Sequence, residues 1–168
     1  RGLGDVYKRQ LINNAGIVSG QPLLDLPDEK IELTFQVNTL ALFWITKAFL
    51  PGMLARKRGH IVTMASASSF IGVAKLSDYS ASKWAAMAFD ESLRAELSAS
   101  APEIQTTVVC PFYVNTGMFT GVKSRFSFLL PILEEDDVVA RIITAIQQNK
   151  RRIVLPGTVL LVPLMRLL

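Results

Sequence analysis

Apolar residues fall into two kinds of pattern along this chain. The first is a short continuous run: Leu11-Ile12, His60 to Ala65 (HIVTMA), Thr106 to Cys110 (TTVVC) and Ile153-Val154-Leu155. Runs of this length, bounded by turn and breaker residues, predict strands buried on both faces; half-exposed strands would alternate. The second pattern is helical. Tyr79 to Ser98 repeats apolar residues at Ala81, Trp84, Ala85, Ala88, Phe89, Leu93 and Leu97. Glu134 to Asn149 puts Val138, Val139, Ile142, Ile143 and Ile146 on one stripe. It opens with four acids and runs out into Lys150-Arg151-Arg152, the charge order that complements a helix dipole. A third helix starts at Pro27-Asp28-Glu29 and extends to about Met53, with a break expected near Pro51-Gly52. Phe112 to Leu133 has no clear period.

Strands alternating with helices predict an α/β fold, a doubly wound parallel sheet covered on both faces. In such sheets ligands bind beyond the carboxyl ends of the strands. The residues just after three of the predicted strands are Asn13 to Gly16, Ser66 to Ser69 and Pro111 to Thr116. All three clusters are small or polar, and together they make one candidate site.

Composition narrows the function. The 168 residues suffice for one domain. The net charge of +4 is concentrated at Lys150-Arg151-Arg152 and in the first ten residues, so no basic face remains for nucleic acid. One cysteine, Cys110, excludes an internal disulfide framework. With one histidine besides, no His/Cys zinc site is expected, and the metal expectation is none. No secretory signal is present, and no uninterrupted apolar run reaches the ~20 residues of a membrane helix. The expected location is cytoplasmic or peripheral to a membrane, not secreted.

The ends look cut. Residues 1–10 (RGLGDVYKRQ) follow neither period and read either as a non-native leader or as a flexible terminus. The chain stops at Leu168 within an apolar stretch, which argues for truncation there as well. Residues 11–168 are taken as the C-terminal part of one domain.

Tyr79 and Lys83 are four apart near a helix start and project from one face. A phenol titrates near ~10. An ammonium ~4 Å away favours the phenolate by up to ~4 kcal/mol at an effective dielectric of ~20. That is roughly three pKa units at most, enough for proton exchange near neutral pH. Ser66, at the end of a neighbouring strand, can hold a substrate oxygen. Taken alone, a tyrosine and a lysine four apart is more often a surface pair than a catalytic one.

The combination is more specific. LINNAG at 11–16, VN at 37–38, GHIVTMAS at 59–66, YSASK at 79–83 and CPFYVNTGM at 110–118 occur in one order. With these motifs the chain resembles the short-chain dehydrogenase/reductase family, from Leu11 onward. The resemblance implies a Rossmann-like fold and an NAD(P)-dependent oxidoreductase. It implies that Tyr79 exchanges the proton, and that Lys83 lowers its pKa and binds the nicotinamide ribose. Ser66 would bond the substrate oxygen, and Asn38 would hold a water in a proton relay. Asn14, Ala15, Gly16, Pro111, Val114 and Thr116 would line the cofactor, with Tyr79 and Lys83; NAD or NADP cannot be chosen between. Ser68, Met118 and Phe119, with Ser66 and Tyr79, would meet the substrate. Two departures stand out. Phe112 follows Pro111 where the family often has glycine, which puts the local path in question. The glycine-rich turn that binds the dinucleotide is absent, and Gly2 and Gly4 do not reproduce it.

Gly117 to Leu133 carries Met118, Phe119, Phe126, Phe128, Leu129, Leu130, Ile132 and Leu133. This lining fits a lipophilic alcohol or carbonyl (retinoid, steroid or long-chain aldehyde); the same residues could instead pack a lid on the core. VNTGMF at 114–119 and the Ile153-to-Pro156 strand end most resemble the branch with retinol dehydrogenases and 17β-hydroxysteroid dehydrogenases. Residues 150–168 suit peripheral membrane association, core completion or a subunit contact equally. By the family's habit, the second half of the Tyr79 helix and the helix before Pro51 would pair in a homo-oligomer. His60 and Cys110 read as structural, and Trp44 and Trp84 as packing. The competing functional reading is a catalytically silent, membrane-associated binding or scaffold protein.

Overall fold

The computed structural model describes residues 9–119 and 127–161. Residues 1–8 of the expected leader, Phe126 in the expected substrate loop, and 162–168 of the tail lie outside them. Among the described residues, four strands form one parallel sheet in sequence order: β1 (Gln10–Asn13), β2 (Gly59–Met64), β3 (Ile104–Pro111) and β4 (Arg152–Leu155). β1 starts one residue before the apolar run, because Gln10 pairs with His60 and the His60 amide donates to the Arg9 carbonyl at 2.9 Å.

Four helices connect and cover the strands: α1 (Asp28–Phe35), α2 (Ala41–Ala55), α3 (Ser77–Ser100) and α4 (Glu135–Gln147). Alternate side chains of the strands face opposite layers. On one face Leu11, Ile61 and Ile104 pack with Met53 of α2, Leu93 and Leu97 of α3, and Ala101 just after it. On the other, Val62 and Val109 pack with Ile146 of α4, flanked by Met64, Ile142 and Ile153. Helices thus lie on both faces, as a doubly wound sheet requires. Ile12 points to the α4 side beyond that helix and is half exposed.

The helix expected from Pro27 is continuous through Pro51, with no break there. Its irregularity lies elsewhere: Gln36–Leu40 is a π-helical turn between α1 and α2. Short π segments are rare and concentrate at functional sites; this one carries Asn38. The run 28–55 is apolar and long enough to match a membrane span by composition, but it contacts α3, β1 and β2. Trp44 and Trp84, expected to pack inside, are 60% and 47% exposed. The exposed Trp84 lies in the first half of α3, whereas the second half expected to pair subunits presents mainly small and polar residues to solvent.

The described tail completes the core. Leu155 and Val159 are buried, and Arg152 pairs with Glu91 and stacks over Phe70. Of the three expected roles for the tail, core completion is the one these residues show; Leu160 and Leu161 remain exposed. Cys110 is fully buried. His60 is buried as well, its Nε2 hydrogen-bonding Thr107 Oγ1 at 2.8 Å while that hydroxyl donates to the Lys150 carbonyl at 2.6 Å. His60 sits at the end of the sheet opposite the candidate site.

The β2 entry is tight. A Cβ at Gly59 would lie 2.5 Å from Met53 Sδ and 2.7 Å from its Cβ. Gly59→Ala is therefore expected to destabilise by about 1–3 kcal/mol through overpacking. Urea denaturation checks this, and an unchanged midpoint would contradict it.

Candidate active site

All four strands run the same way, so the ends of β1, β2 and β3 open onto one edge. A cavity of ≈ 870 Å³ lies there, lined by Asn14, Ala15, Gly16, Ser66, Ser68, Tyr79, Lys83, Pro111, Val114, Thr116, Met118 and Phe119. These twelve are the residues expected one by one to touch cofactor or substrate, but Phe128, Leu129, Leu130, Ile132 and Leu133 of the expected substrate loop do not line the cavity, and Phe128 is 95% exposed. Asn38 does not line it; it stands behind the wall, 1% exposed.

Ser66 follows β2 and caps a 3₁₀ turn, Ala67–Ser69, its Oγ accepting the Ser68 amide at 3.2 Å. Tyr79 and Lys83 sit in the first two turns of α3, 6% and 4% exposed. Ser66 and Tyr79 line the same cavity, and the Ser66 hydroxyl acts on the Tyr79 phenol so as to favour its ionised form. Lys83 Nζ donates to the Met64 carbonyl at 2.8 Å and lies 5.7 Å from the centre of the Tyr79 ring. A Cβ on Gly16 would come within 3.2 Å of Nζ and 3.5 Å of Asn38 Oδ1. Glycine at 16 leaves the ammonium its room.

The electrostatics differ from the sequence expectation. Burial raises the Tyr79 phenol above its ordinary value; the Ser66 hydroxyl pulls it back and the Tyr113 phenol pushes it up further. Lys83 is itself lowered to about 8, chiefly by burial, against an opposing pull from Cys110. The ammonium is committed to a carbonyl, and desolvation outweighs attraction. The phenol is thus protonated at neutral pH.

Asn38 has a fully used side-chain amide group. Oδ1 accepts the Ile17 amide at 2.9 Å; Nδ2 donates to the Ile17 carbonyl at 2.9 Å and to Ser82 Oγ at 3.0 Å. It therefore holds the loop after β1 in place, and both its amide hydrogens are engaged. Only a second Oδ1 lone pair is left for a water.

Phe112 resolves the question raised by the missing glycine. It has no positive φ, its amide donates to the Leu155 carbonyl at 2.7 Å, and its ring meets Tyr113 edge to face at 4.7 Å. The path there is ordinary extended backbone that any residue can follow. Sequence reasoning missed Tyr113, which joins Phe119 and Tyr79 in a chain of edge-to-face contacts at 4.9 and 5.8 Å. It also missed Ile17, Val18 and Ile71 as lining. The apolar character of these positions resembles that of core, so no local signal marks them. Among the described residues no cluster of three or more His, Cys, Asp or Glu could hold a metal.

A model of the short chain dehydrogenase family matches residues 9–125. The chain belongs to that family. It is 48% identical over 147 residues to mouse (Mus musculus) epidermal retinol dehydrogenase 2, covering 87% of this chain and 48% of that protein. It is 45% identical over 169 residues to Xenopus tropicalis retinol dehydrogenase 10, covering 99% of this chain and 49% of that protein. The chain thus spans about half the length of the curated relatives it matches. Among solved structures, a Burkholderia phymatum short-chain dehydrogenase/reductase in complex with NAD superposes with a TM-score of 0.80 at 22% identity, over 94% of this chain and 64% of that one. A Sphingobium yanoikuyae short-chain dehydrogenase in complex with NADPH gives 0.76 at 24%, over 88% and 57%. At these identities the superpositions show the fold.

A lysine whose folded pKa lies below its unfolded value loses stability as pH falls through that window, here from about 10.5 to about 8. At pH 7 the buried charge therefore costs the fold. Lys83→Met is expected to raise stability there by about 1–3 kcal/mol, read by denaturant melts. A destabilised variant would contradict that sign.

Proposed function

We propose that this chain is the catalytic part of an NAD(P)-dependent oxidoreductase, C-terminal within a single Rossmann-type domain, that interconverts a lipophilic alcohol with its aldehyde or ketone. The observation that carries this reading is the convergence of Ser66, Tyr79 and Lys83 on one cavity, with Lys83 Nζ 5.7 Å from the centre of the Tyr79 ring. The names of its relatives, retinol dehydrogenases, support a lipophilic substrate. So does the cavity, where Ile17, Val18, Ile71, Met118 and Phe119 share the lining with the hydroxyls of Ser66 and Tyr79.

The residues present fit one side of a dinucleotide. Gly16 keeps the cavity wall beside Lys83 free of a Cβ, and Asn14 and Ala15 are exposed next to it. NAD or NADP would supply or accept the hydride. Lys83, with Nζ already near this wall, would bond vicinal hydroxyls of the ribose, and Thr116 would meet the carboxamide end. Pro111 and Val114 would flank the ring.

The protein's own part is proton transfer and orientation. Ser66 holds the substrate oxygen, with Ser68 beside it. Tyr79, protonated at rest, donates to that oxygen during carbonyl reduction. For alcohol oxidation it must act as a base, which requires the Lys83 charge to be felt at the phenol oxygen more strongly than in the resting geometry. Asn38 fixes the loop that carries Asn14 to Gly16.

The exposed Phe43, Trp44 and Ile45 of α2 form the surface where a second copy of the chain would dock. Phe43 touches Phe89 at 4.7 Å, which makes the α2 stripe continuous with α3.

In the full-length protein, Tyr79→Phe is expected to lower kcat by about 100-fold or more with the fold retained. Cofactor oxidation with a panel of lipophilic aldehydes and ketones checks this. Turnover within tenfold of the unsubstituted protein would overturn the role given to Tyr79.

A further inference from the structure

Next to Tyr79 in the chain is Asp78, a carboxylate that none of the chemistry above uses. It is 4% exposed. Its Oδ2 accepts two hydroxyls, from Ser19 Oγ at 2.8 Å and from Thr34 Oγ1 at 2.9 Å. Thr34 itself is fully buried, and the two hydroxyl oxygens are 3.5 Å apart. The three residues come from three separate segments. Ser19 is on the loop after β1, three positions beyond Gly16. Thr34 is in α1, two residues before the π segment and one turn before Asn38, which that segment carries. Asp78 is in the first turn of α3, which carries Tyr79 and Lys83.

A buried carboxylate costs several kcal/mol unless its oxygens are bonded. Asp78 Oδ1 has no partner among the described residues, so the two hydroxyls on Oδ2 carry most of the compensation. Its position in the first turn of α3 adds favourable interaction with the helix amides. The carboxylate is thus affordable only while all three segments stay together. The same loop is gripped two residues earlier by Asn38, through both backbone groups of Ile17. Two side chains from different helices therefore hold Ile17 to Ser19 from two sides, and the loop so held begins with Asn14, Ala15 and Gly16.

We propose that Asp78 is a positioning residue: with Ser19 and Thr34 it sets the loop bearing Asn14 to Gly16 against the helix turn bearing Tyr79 and Lys83. This rests on the proposed oxidoreductase reading, because the groups it aligns are the cofactor wall and the proton-transfer pair. A misplacement near 1 Å at such a site can cost as much as a hundredfold in rate.

The test compares Asp78→Ala, Ser19→Ala, Ser19→Thr and the double variant in the full-length protein, with Tyr79→Phe run in parallel. Two readouts are taken: backbone amide exchange at Ile17 to Ser19, and kcat and KM for a lipophilic carbonyl. Faster exchange at Ile17 to Ser19 is expected in both alanine variants, together with a fall in kcat of about 10- to 100-fold. KM for the carbonyl should move far less. Ser19→Thr, which keeps the hydroxyl, should recover most of the loss. The double variant should be no worse than Asp78→Ala alone, because the groups act as one unit. If Asp78→Ala does not fold, Ser19→Ala alone decides by the same two readouts. Unchanged exchange overturns the clamp, whatever the activity. Faster exchange with kcat unchanged, while Tyr79→Phe abolishes turnover, overturns the positioning role alone. Turnover that survives Tyr79→Phe overturns the oxidoreductase reading of Tyr79 instead, and exchange then decides the clamp alone.

Discussion

One buried ammonium organises the site end of this molecule. Lys83 Nζ is nearly sealed from water and answers to the Met64 carbonyl, with the bare α-carbon of Gly16 and the Asn38 amide close by. Each of these partners comes from a different strand end or helix. Burying a charge is costly, and here the cost shows as a lysine that titrates near 8. Stability given up at one point is a familiar mark of functional sites. The parallel sheet makes the arrangement possible, because it delivers the ends of β1, β2 and β3 to a single edge.

The polar framework around that ammonium is built from side chains that bond backbone across segments. Asn38 holds Ile17, Ser82 donates to the Tyr79 carbonyl at 2.8 Å, and Ser69 donates to the Lys83 carbonyl at 2.7 Å. Thr39 donates to the Ser82 carbonyl at 3.2 Å. The turn of α3 that carries Tyr79 and Lys83 is thereby fastened to other segments at the Ser82 and Lys83 carbonyls and, within the helix, at that of Tyr79. The cavity beside it is largely apolar, with Asn14, Lys83, Glu135 and a few hydroxyls as its polar groups. Together they bury a proton donor among largely apolar side chains, where its ionisation is suppressed.

The strands, the helices on both faces and the convergence of the strand-end clusters on one edge were legible in the sequence. Continuous runs such as HIVTMA have no other stable home than a sheet covered on both sides. The helix stripe ending in Leu93 and Leu97 could only face that sheet. Other features have no local signature. Nothing in Gln36–Leu40 announces a π turn, and Pro51 is accommodated without breaking the helix. Ser19, Thr34 and Asp78 are up to 59 positions apart and ordinary in isolation. Trp44 and Trp84 follow a helical period yet face outward, since periodicity identifies a stripe without saying what covers it. The electrostatic expectation for Tyr79 failed for a related reason. Helical spacing gives the separation of two side chains, but desolvation is set by what the rest of the chain places around them.

That last contrast has a direct experimental form. Tyrosine labelled with carbon-13 at Cζ reports each phenol's ionisation by NMR, and the Tyr79 signal is assigned by its loss in Tyr79→Phe. In the protein without added nucleotide, the Tyr79 phenol should titrate above 10, as burial dictates. A Tyr79 phenol that ionises near neutral pH in the same sample would show that the Lys83 cation outweighs desolvation, and would contradict the electrostatic picture drawn from this structure.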